Sequence, residues 1–429
     1  MSLLIKGGLV VDPSRHLEEP LDLLVEQGKI AALEAPGKIP ETGRRIISGK
    51  GLVVAPGLLD MHVHLREPGE EYKETIESGT RAAVQGGFTA VACMPNTKPV
   101  NDNATVTRMI LDQAKEAANA RVYPVAAVSV SSKGKELSEY GDLKAAGAVA
   151  LTDDGHPVSN SMLMRRALEY ARTFDLPIIS HCEDLELSGD GVMHEGPISL
   201  ELGLKGIPAA AEEVMVYRDL TLARLTGARL HIAHVSTGGS VAIIRLAKAM
   251  GLPVTAETAP HYFTLTEEAV RGYDTNAKVN PPLRTEMDVK SIKEALRDGT
   301  LDAVACDHAP HSSLEKEVEF GAAAFGLIGL ETSLGLTLKL VHAGELNLMQ
   351  AIAALSTHPA RILGVNGGTL AVGAPADITL IDLNREWTVD AGTFASKSRN
   401  CPFQGWSLKG KAVITIVRGK IAWEEEGRG

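Results

Sequence analysis

The chain is poor in aromatic residues, which make up 4% of its 429 positions. That scarcity argues against an aromatic-rich all-β fold, whereas plentiful glycine and alanine suit close packing of helices on strands. Cysteine is sparser still: Cys93, Cys182, Cys306 and Cys401 lie far apart with no CxxC spacing. That pattern points away from a disulfide framework and towards a reducing compartment. No run approaches the roughly 18 apolar residues of a membrane span. The opening MSLLIKGGLVVDP meets Gly-Gly and Asp-Pro too early for a signal peptide. Lysine and arginine form no cluster, and a net charge of −11 argues against non-specific nucleic-acid binding. Neither GxGxxG nor a Walker motif occurs. The reading is a soluble, cytoplasmic protein whose ligand is a small molecule.

What the chain does have is alternation. Its length exceeds the usual size of one hydrophobic core. Between about residues 55 and 365, eight apolar runs appear in order: LLDMHVH, FTAVACMPN, ARVYPVAAVS, AVALTDDG, LPIISHCED, ARLHIAHVS, LPVTAETAPH and LDAVACDHAPH. Helix-like stretches such as SNSMLMRRALEYARTFD and GSVAIIRLAKAMG fall between them, many closed by glycine. Strands too continuously apolar to have a wet face, alternating with helices, imply a covered parallel sheet. Eight such units over some 300 residues predict an α/β fold, a (β/α)8 TIM barrel over residues 55–366. A doubly wound open sheet is the alternative, but it more usually carries fewer strands and often a Gly-rich phosphate turn. Residues 1–54 and 367–429 read as short β-branched strands, too few on either flank for a comfortable core. The two flanks are therefore expected to meet in one small, sandwich-like β domain.

In a barrel the active site sits at the C-terminal ends of the strands. Read there, the first run ends in His62 and His64, the fourth in Asp153 and Asp154, the fifth in His181, the sixth in His234, and the eighth in Asp307, His308 and His311. Residues two apart on a strand share a face, so His62 and His64 can aim at one point. A lone strand-end histidine is more often structural than a ligand. Five strand ends carrying ligand-type residues on one rim are hard to explain that way. Imidazoles with a few carboxylates suit Zn2+ or another first-row divalent ion, and the count fits two ions better than one.

The stretches PGLLDMHVHLREPG, CMPNT, TDDG, SHCED, HVST, VNPPLR and CDHAPH, in this order, resemble the cyclic amidohydrolase superfamily, and within it the bacterial class I dihydroorotases. Hydantoinases, allantoinases and many dihydroorotases carry a metal-bridging carboxylated lysine at the fourth strand end. Here GAVALTDDG has none, and Lys144 lies earlier. The class I branch uses aspartate, which matches Asp154. The resemblance implies one metal on His62, His64 and Asp307, a second on His181 and His234, and Asp154 able to bridge. It implies Zn2+, one or two per subunit and more readily two. The implied reaction is reversible cyclisation of N-carbamoyl-L-aspartate to L-dihydroorotate in pyrimidine biosynthesis. In the hydrolytic direction a metal-held hydroxide attacks the ring amide while Asp307 serves as base and then acid.

By the same resemblance Arg66 grips the substrate carboxylate, Asn96 and His311 join it, and Asn280 contacts the ring amides. The bland alternative for Arg66, a surface salt-bridge residue, is the less favoured one given its place just past two histidines. Where the family often has Pro-Phe-Gly before GLET, this chain has Ala324-Phe325-Gly326, which puts the expected backbone contacts of Phe325 and Gly326 in question. A homodimer and a partnership with aspartate transcarbamoylase are family expectations. The alternatives are a hydantoinase or allantoinase acting on another cyclic ureide, and a scaffold subunit for that transcarbamoylase. His261, His308, Cys182 and Cys306 read as structural or inert, and Asp60 and Asp153 as orienting the site. The polar segment 311–322 reads as a loop over the mouth, with Glu315 and Lys316 on a solvated face.

Overall fold

The computed structural model describes residues 2–426. Among them the eight apolar runs become eight parallel strands: Leu58–Val63, Phe88–Cys93, Arg121–Ala126, Ala150–Leu151, Ile178–Ser180, Leu230–Ile232, Val254–Thr258 and Ala303–Val304. They are paired in chain order. The ring closes where the His64 backbone N–H donates to the His308 carbonyl at 2.8 Å, beside a parallel bridge between Val63 and His308. A barrel is therefore formed, not the open sheet.

Helices follow each strand on the outside, and their starts are chemically marked. Thr75, Asn103, Asn160, Thr237 and Thr285 accept backbone N–H groups of the helices Ile76–Gln85, Ala104–Ala117, Ser161–Thr173, Gly238–Ala249 and Glu286–Asp298. The barrel interior is filled by small and branched side chains, among them Leu59, Met61, Ala90, Ala92, Val125, Ala150, Ile179, Ala233 and Ala303. Ile362 and Leu363, from the helix His358–Leu363, pack into the same cluster. With that core packed, the opposite mouth is left for chemistry.

The flanks build one sheet. Val53–Pro56 pairs in parallel with Leu3–Asp12 and antiparallel with Ile378–Thr388, which continues into Ser407–Val417 and Lys420–Glu424. Leu3, Ile5, Val10, Leu23 and Val54 from one flank bury against Ile378, Leu380, Ile414 and Ile416 from the other. Between Thr388 and Ser407 the chain leaves this sheet and runs to the barrel mouth. There the Ser398 hydroxyl donates to the Lys73 carbonyl at 2.8 Å.

Candidate active site

Local irregularities of the strands aim the histidines. Asp60 pairs with Val91 but Val63 with Cys93, so the first strand carries one extra residue against its neighbour. Strict alternation after the inward Leu59 and Met61 would turn His62 outward; the bulge brings it into the mouth. His234 and Asp307 reach the same space from left-handed backbone, with φ of 34° and 47°, and Arg66 has φ of 61°. Such conformations in non-glycine residues cost about 1–3 kcal/mol each and persist where the surroundings fix them.

Asp154 stands between two pairs of imidazoles. His62 Nε2 is 3.3 Å from Asp154 Oδ1 and His64 Nε2 is 3.5 Å from its Oδ2. On the other side His181 Nδ1 and His234 Nε2 each lie 3.6 Å from Oδ1, and 2.9 Å from one another. The ligand-type atoms of His62, His64 and Asp154 lie within 4.8 Å of one another, as do those of Asp154, His181 and His234. Asp307 Oδ1 approaches His64 Nε2 at 3.0 Å and His62 Nε2 at 3.7 Å.

Three of the four far nitrogens are held by acceptors. His62 Nδ1 is 2.7 Å from Glu257 Oε1, His64 Nδ1 is 2.8 Å from Asn96 Oδ1, and His181 Nε2 is 3.1 Å from Glu183 Oε2. Each acceptor assigns the proton to the outer nitrogen and leaves a lone pair facing inward. His62 Nε2 and Asp154 Oδ1 are buried without a hydrogen-bond partner. Converging lone pairs and carboxylates repel unless they share a cation, so the donor set fits a divalent metal.

Burial alone would raise the carboxyl pKa values here, but the imidazoles outweigh it. The surrounding imidazoles, His62 foremost and then His181 and His234, hold Asp154 well below the usual carboxylate range. His62 and His64 do the same for Asp307. Against the same burial, His231 and His62 hold Glu257 at about 2, so all three are anionic at neutral pH. Replacing Glu257 with Gln is expected to weaken metal affinity by about 10–100-fold by loosening the His62 ring. A competition titration with a chelating dye checks this, and wild-type affinity would remove Glu257 from that role.

Arg66 is buried, its Nε donating to the Pro310 carbonyl at 3.1 Å and its Nη2 lying 3.3 Å from His311 Nε2. Surface ion pairing is thus not its role. His311 Nε2 also lies 2.9 Å from the Phe325 carbonyl, and burial beside Arg66 pulls its pKa down to about 3, leaving it neutral. Asn280 Nδ2 donates to Glu183 Oε2 at 3.0 Å. Gly326, at φ 131°, has no room for a side chain: a Cβ would sit 2.7 Å from that of Ala309. Arg66, Asn96, Asn280, His311, Phe325 and Gly326 line one cavity of about 380 Å3 together with His64, Asp154, His181, His234 and Asp307. His62 lies beneath them, fully buried.

The solvated face expected for Glu315 and Lys316 is not found. Lys316 is buried, its ammonium donating to the carbonyls of Ala324 at 2.8 Å and Gly326 at 3.0 Å. Glu315 accepts from the Ser312 backbone and pairs with Lys73 at 2.8 Å. These bonds fix the Ala324-Phe325-Gly326 segment, whose Phe325 ring also lies 4.5 Å from Lys278 Nζ.

The remaining residues fall outside the donor set. Asp60 accepts the backbone N–H groups of His62 and Cys306, tying the first strand to the eighth. Asp153 accepts from the Ser129 backbone at 3.0 Å. His308 turns outward to Glu74 and Gly329, and Lys144 sits on an outer helix, donating to Phe174. Glu257, Glu183 and His231 were not singled out by the sequence. Strand alternation from Thr255 or Ala233 is the signal that places Glu257 and His231 inward.

Similarity to other proteins agrees with this geometry. Residues 51–240 match the family described as Dihydro-orotase-like. A dihydroorotase of Syntrophus aciditrophicus is 58% identical over 427 residues, covering 99% of this chain and 100% of the relative. One from Geobacter sulfurreducens is 59% identical, covering 98% and 99%. Among solved structures, the L-hydantoinase of Arthrobacter aurescens superposes with a TM-score of 0.89 at 26% identity, covering 98% of this chain and 96% of that one. The D-hydantoinase of a Thermus species gives 0.83 at 26% identity, covering 98% and 95%. A shared fold with hydantoinases, and full-length identity near 58% with dihydroorotases, settle the lineage: this chain belongs to the dihydroorotase family.

Proposed function

We propose that the mouth cavity interconverts N-carbamoyl-L-aspartate and L-dihydroorotate with two zinc ions per subunit. His62, His64 and Asp307 would hold one ion, His181 and His234 the other, and Asp154 would bridge them. When bound, zinc supplies Lewis acidity that polarises the ring amide carbonyl and acidifies water. Asp307, anionic at neutral pH, takes the proton of the attacking water on its carboxylate and passes it to the ring nitrogen as the carbon–nitrogen bond breaks. In the synthetic direction it removes that proton from the carbamoyl nitrogen. Arg66, with Asn96 and His311, grips the carboxylate on the ring, while Asn280 and the backbone at Phe325 and Gly326 meet the ring amides.

The observation that carries this reading is Asp154 between two histidine pairs, with Asp307 against His64 and a buried guanidinium across the same cavity. The fold shared with hydantoinases favours a second reading, a hydrolase of another cyclic ureide. Against it, the fourth strand is followed by Thr152, Asp153 and Asp154, with no lysine. Hydrolysis of L-dihydroorotate, followed by ultraviolet absorbance with metal content on the same sample, separates the two. Turnover with one to two zinc equivalents, lost on chelation and restored by zinc, is expected. A tenfold preference for hydantoin or allantoin would overturn the assignment.

The family resemblance also supports a homodimer and docking on aspartate transcarbamoylase, both testable by size-exclusion elution alone and after mixing. Among the described residues no helix is long and apolar enough to cross a membrane. We assign residues 55–366 to the catalytic domain and the two flanks, 1–54 and 367–429, to one supporting domain.

A further inference from the structure

The cavity's substrate-facing wall is joined by a residue from outside the barrel. Asn400 lies on the excursion between the sheet strands Ile378–Thr388 and Ser407–Val417. Its side chain is buried and fully used. Nδ2 donates to the carbonyls of Ala309 at 3.0 Å and Gly326 at 3.1 Å, and Oδ1 accepts the His311 backbone N–H at 3.2 Å. Its own carbonyl accepts from Ile328 N–H at 3.0 Å. A primary amide is the side chain that offers two donors and an acceptor from one planar group, and all three are spent here.

These bonds fasten together two stretches that are separate in the chain. Ala309 to His311 carries the imidazole beside Arg66 and the Pro310 carbonyl that holds Arg66 Nε. Phe325 and Gly326 line the facing wall. The Gly326 carbonyl has one other side-chain donor among the described residues, Lys316. The excursion itself is anchored to the barrel by Ser396 and Ser398, which bond to Glu74 and the Lys73 carbonyl.

We propose that Asn400 is a positioning residue for substrate affinity: by clamping the 309–311 stretch to Gly326 it fixes Arg66 and His311 against the substrate carboxylate. The inference rests on the assignment of Arg66 and His311 to that carboxylate. Removing the amide leaves the Ala309 carbonyl and the His311 N–H without their partner, and buried groups in that state rearrange to recover one. The metal-binding side chains make no hydrogen bond to Asn400, so the loss falls on binding and spares the chemical step.

The test is steady-state kinetics of the full-length, zinc-loaded Asn400→Ala enzyme with L-dihydroorotate, together with the inhibition constant of orotate, a planar ring bearing the same carboxylate. KM and the orotate constant are expected to rise by about tenfold together, with kcat within about threefold of wild type and zinc content unchanged. Unchanged KM and orotate affinity, or a fall in kcat alone, would overturn the proposal. Asn400→Leu keeps the side chain's branching without charge or hydrogen bonds, and decides the matter if the alanine variant does not fold. Arg66→Met serves as the control. If it too leaves orotate binding unchanged, the carboxylate assignment itself is wrong; if it weakens orotate binding and Asn400→Ala does not, only the role of Asn400 fails.

Discussion

Replacing Asp307 with Asn is expected to lower kcat for L-dihydroorotate by at least about 100-fold, the lower bound for loss of a positioned general acid and base. Asparagine fills the same space, but its amide cannot take a proton from water and return it to a leaving nitrogen. The native carboxylate sits 3.0 Å from His64 Nε2, and the two neighbouring imidazoles overcome its burial to keep it ionised. Its basic form is therefore retained as pH falls from 7, until the pH drops below the ordinary carboxylate range. Loss of activity between pH 7 and 5 must then come from another group. Zinc content and kcat measured on one sample check the role. A variant with wild-type zinc and kcat within tenfold of normal would show that Asp307 does not carry the proton.

The second large effect is at Asp154. Alanine there removes the one carboxylate that both histidine pairs share, and with it the charge that would offset the two proposed ions in a dry site. Bound zinc is expected to fall from two equivalents to one or none. Turnover should fall by about 1,000-fold or more, some 4 kcal/mol of barrier. Metal analysis after gel filtration in trace zinc, with turnover on the same fractions, gives the answer. Two equivalents retained by Asp154→Ala would rule out the bridge.

How much of this was legible in the sequence depends on how local each cause is. The eight strands were readable because each is a mainly apolar run, with helix-like stretches falling between them. The rim was readable because polar ligand types at five strand ends break that apolar rule together. Alternation did less well where the backbone departs from ideal geometry. Counting by twos from Leu59 turns His62 away, and a bulge visible only in the pairing with the second strand brings it back. His234 likewise reaches the rim through positive φ that no residue type there announces. Glu257 and Glu183 lay inside runs already read, but their acceptor roles depend on which histidine faces them across the barrel. Lys316 misled for a plain reason: a charged segment normally stays wet, and here carbonyls from the next turn of chain compensate its ammonium. Asn400 had no local signal, since its three partners lie some 75–90 residues earlier.

The interleaved sheet also imposes an order on synthesis. Val53–Pro56 emerges early, yet the strand that covers its open side begins at Ile378, about 320 residues later. At roughly 5–20 residues per second, the nascent chain carries that bare edge for some 15–60 s while the barrel is still being made. An unpaired apolar edge is a template for association with other chains, so this interval is when the protein is most exposed to misassembly. The excursion bearing Asn400 follows Ile378–Thr388, so the wall of the proposed substrate pocket is finished only after the barrel. A ribosome-bound chain stopped before Ile378 would have every histidine and aspartate of the proposed metal centre but neither a covered sheet nor a braced pocket.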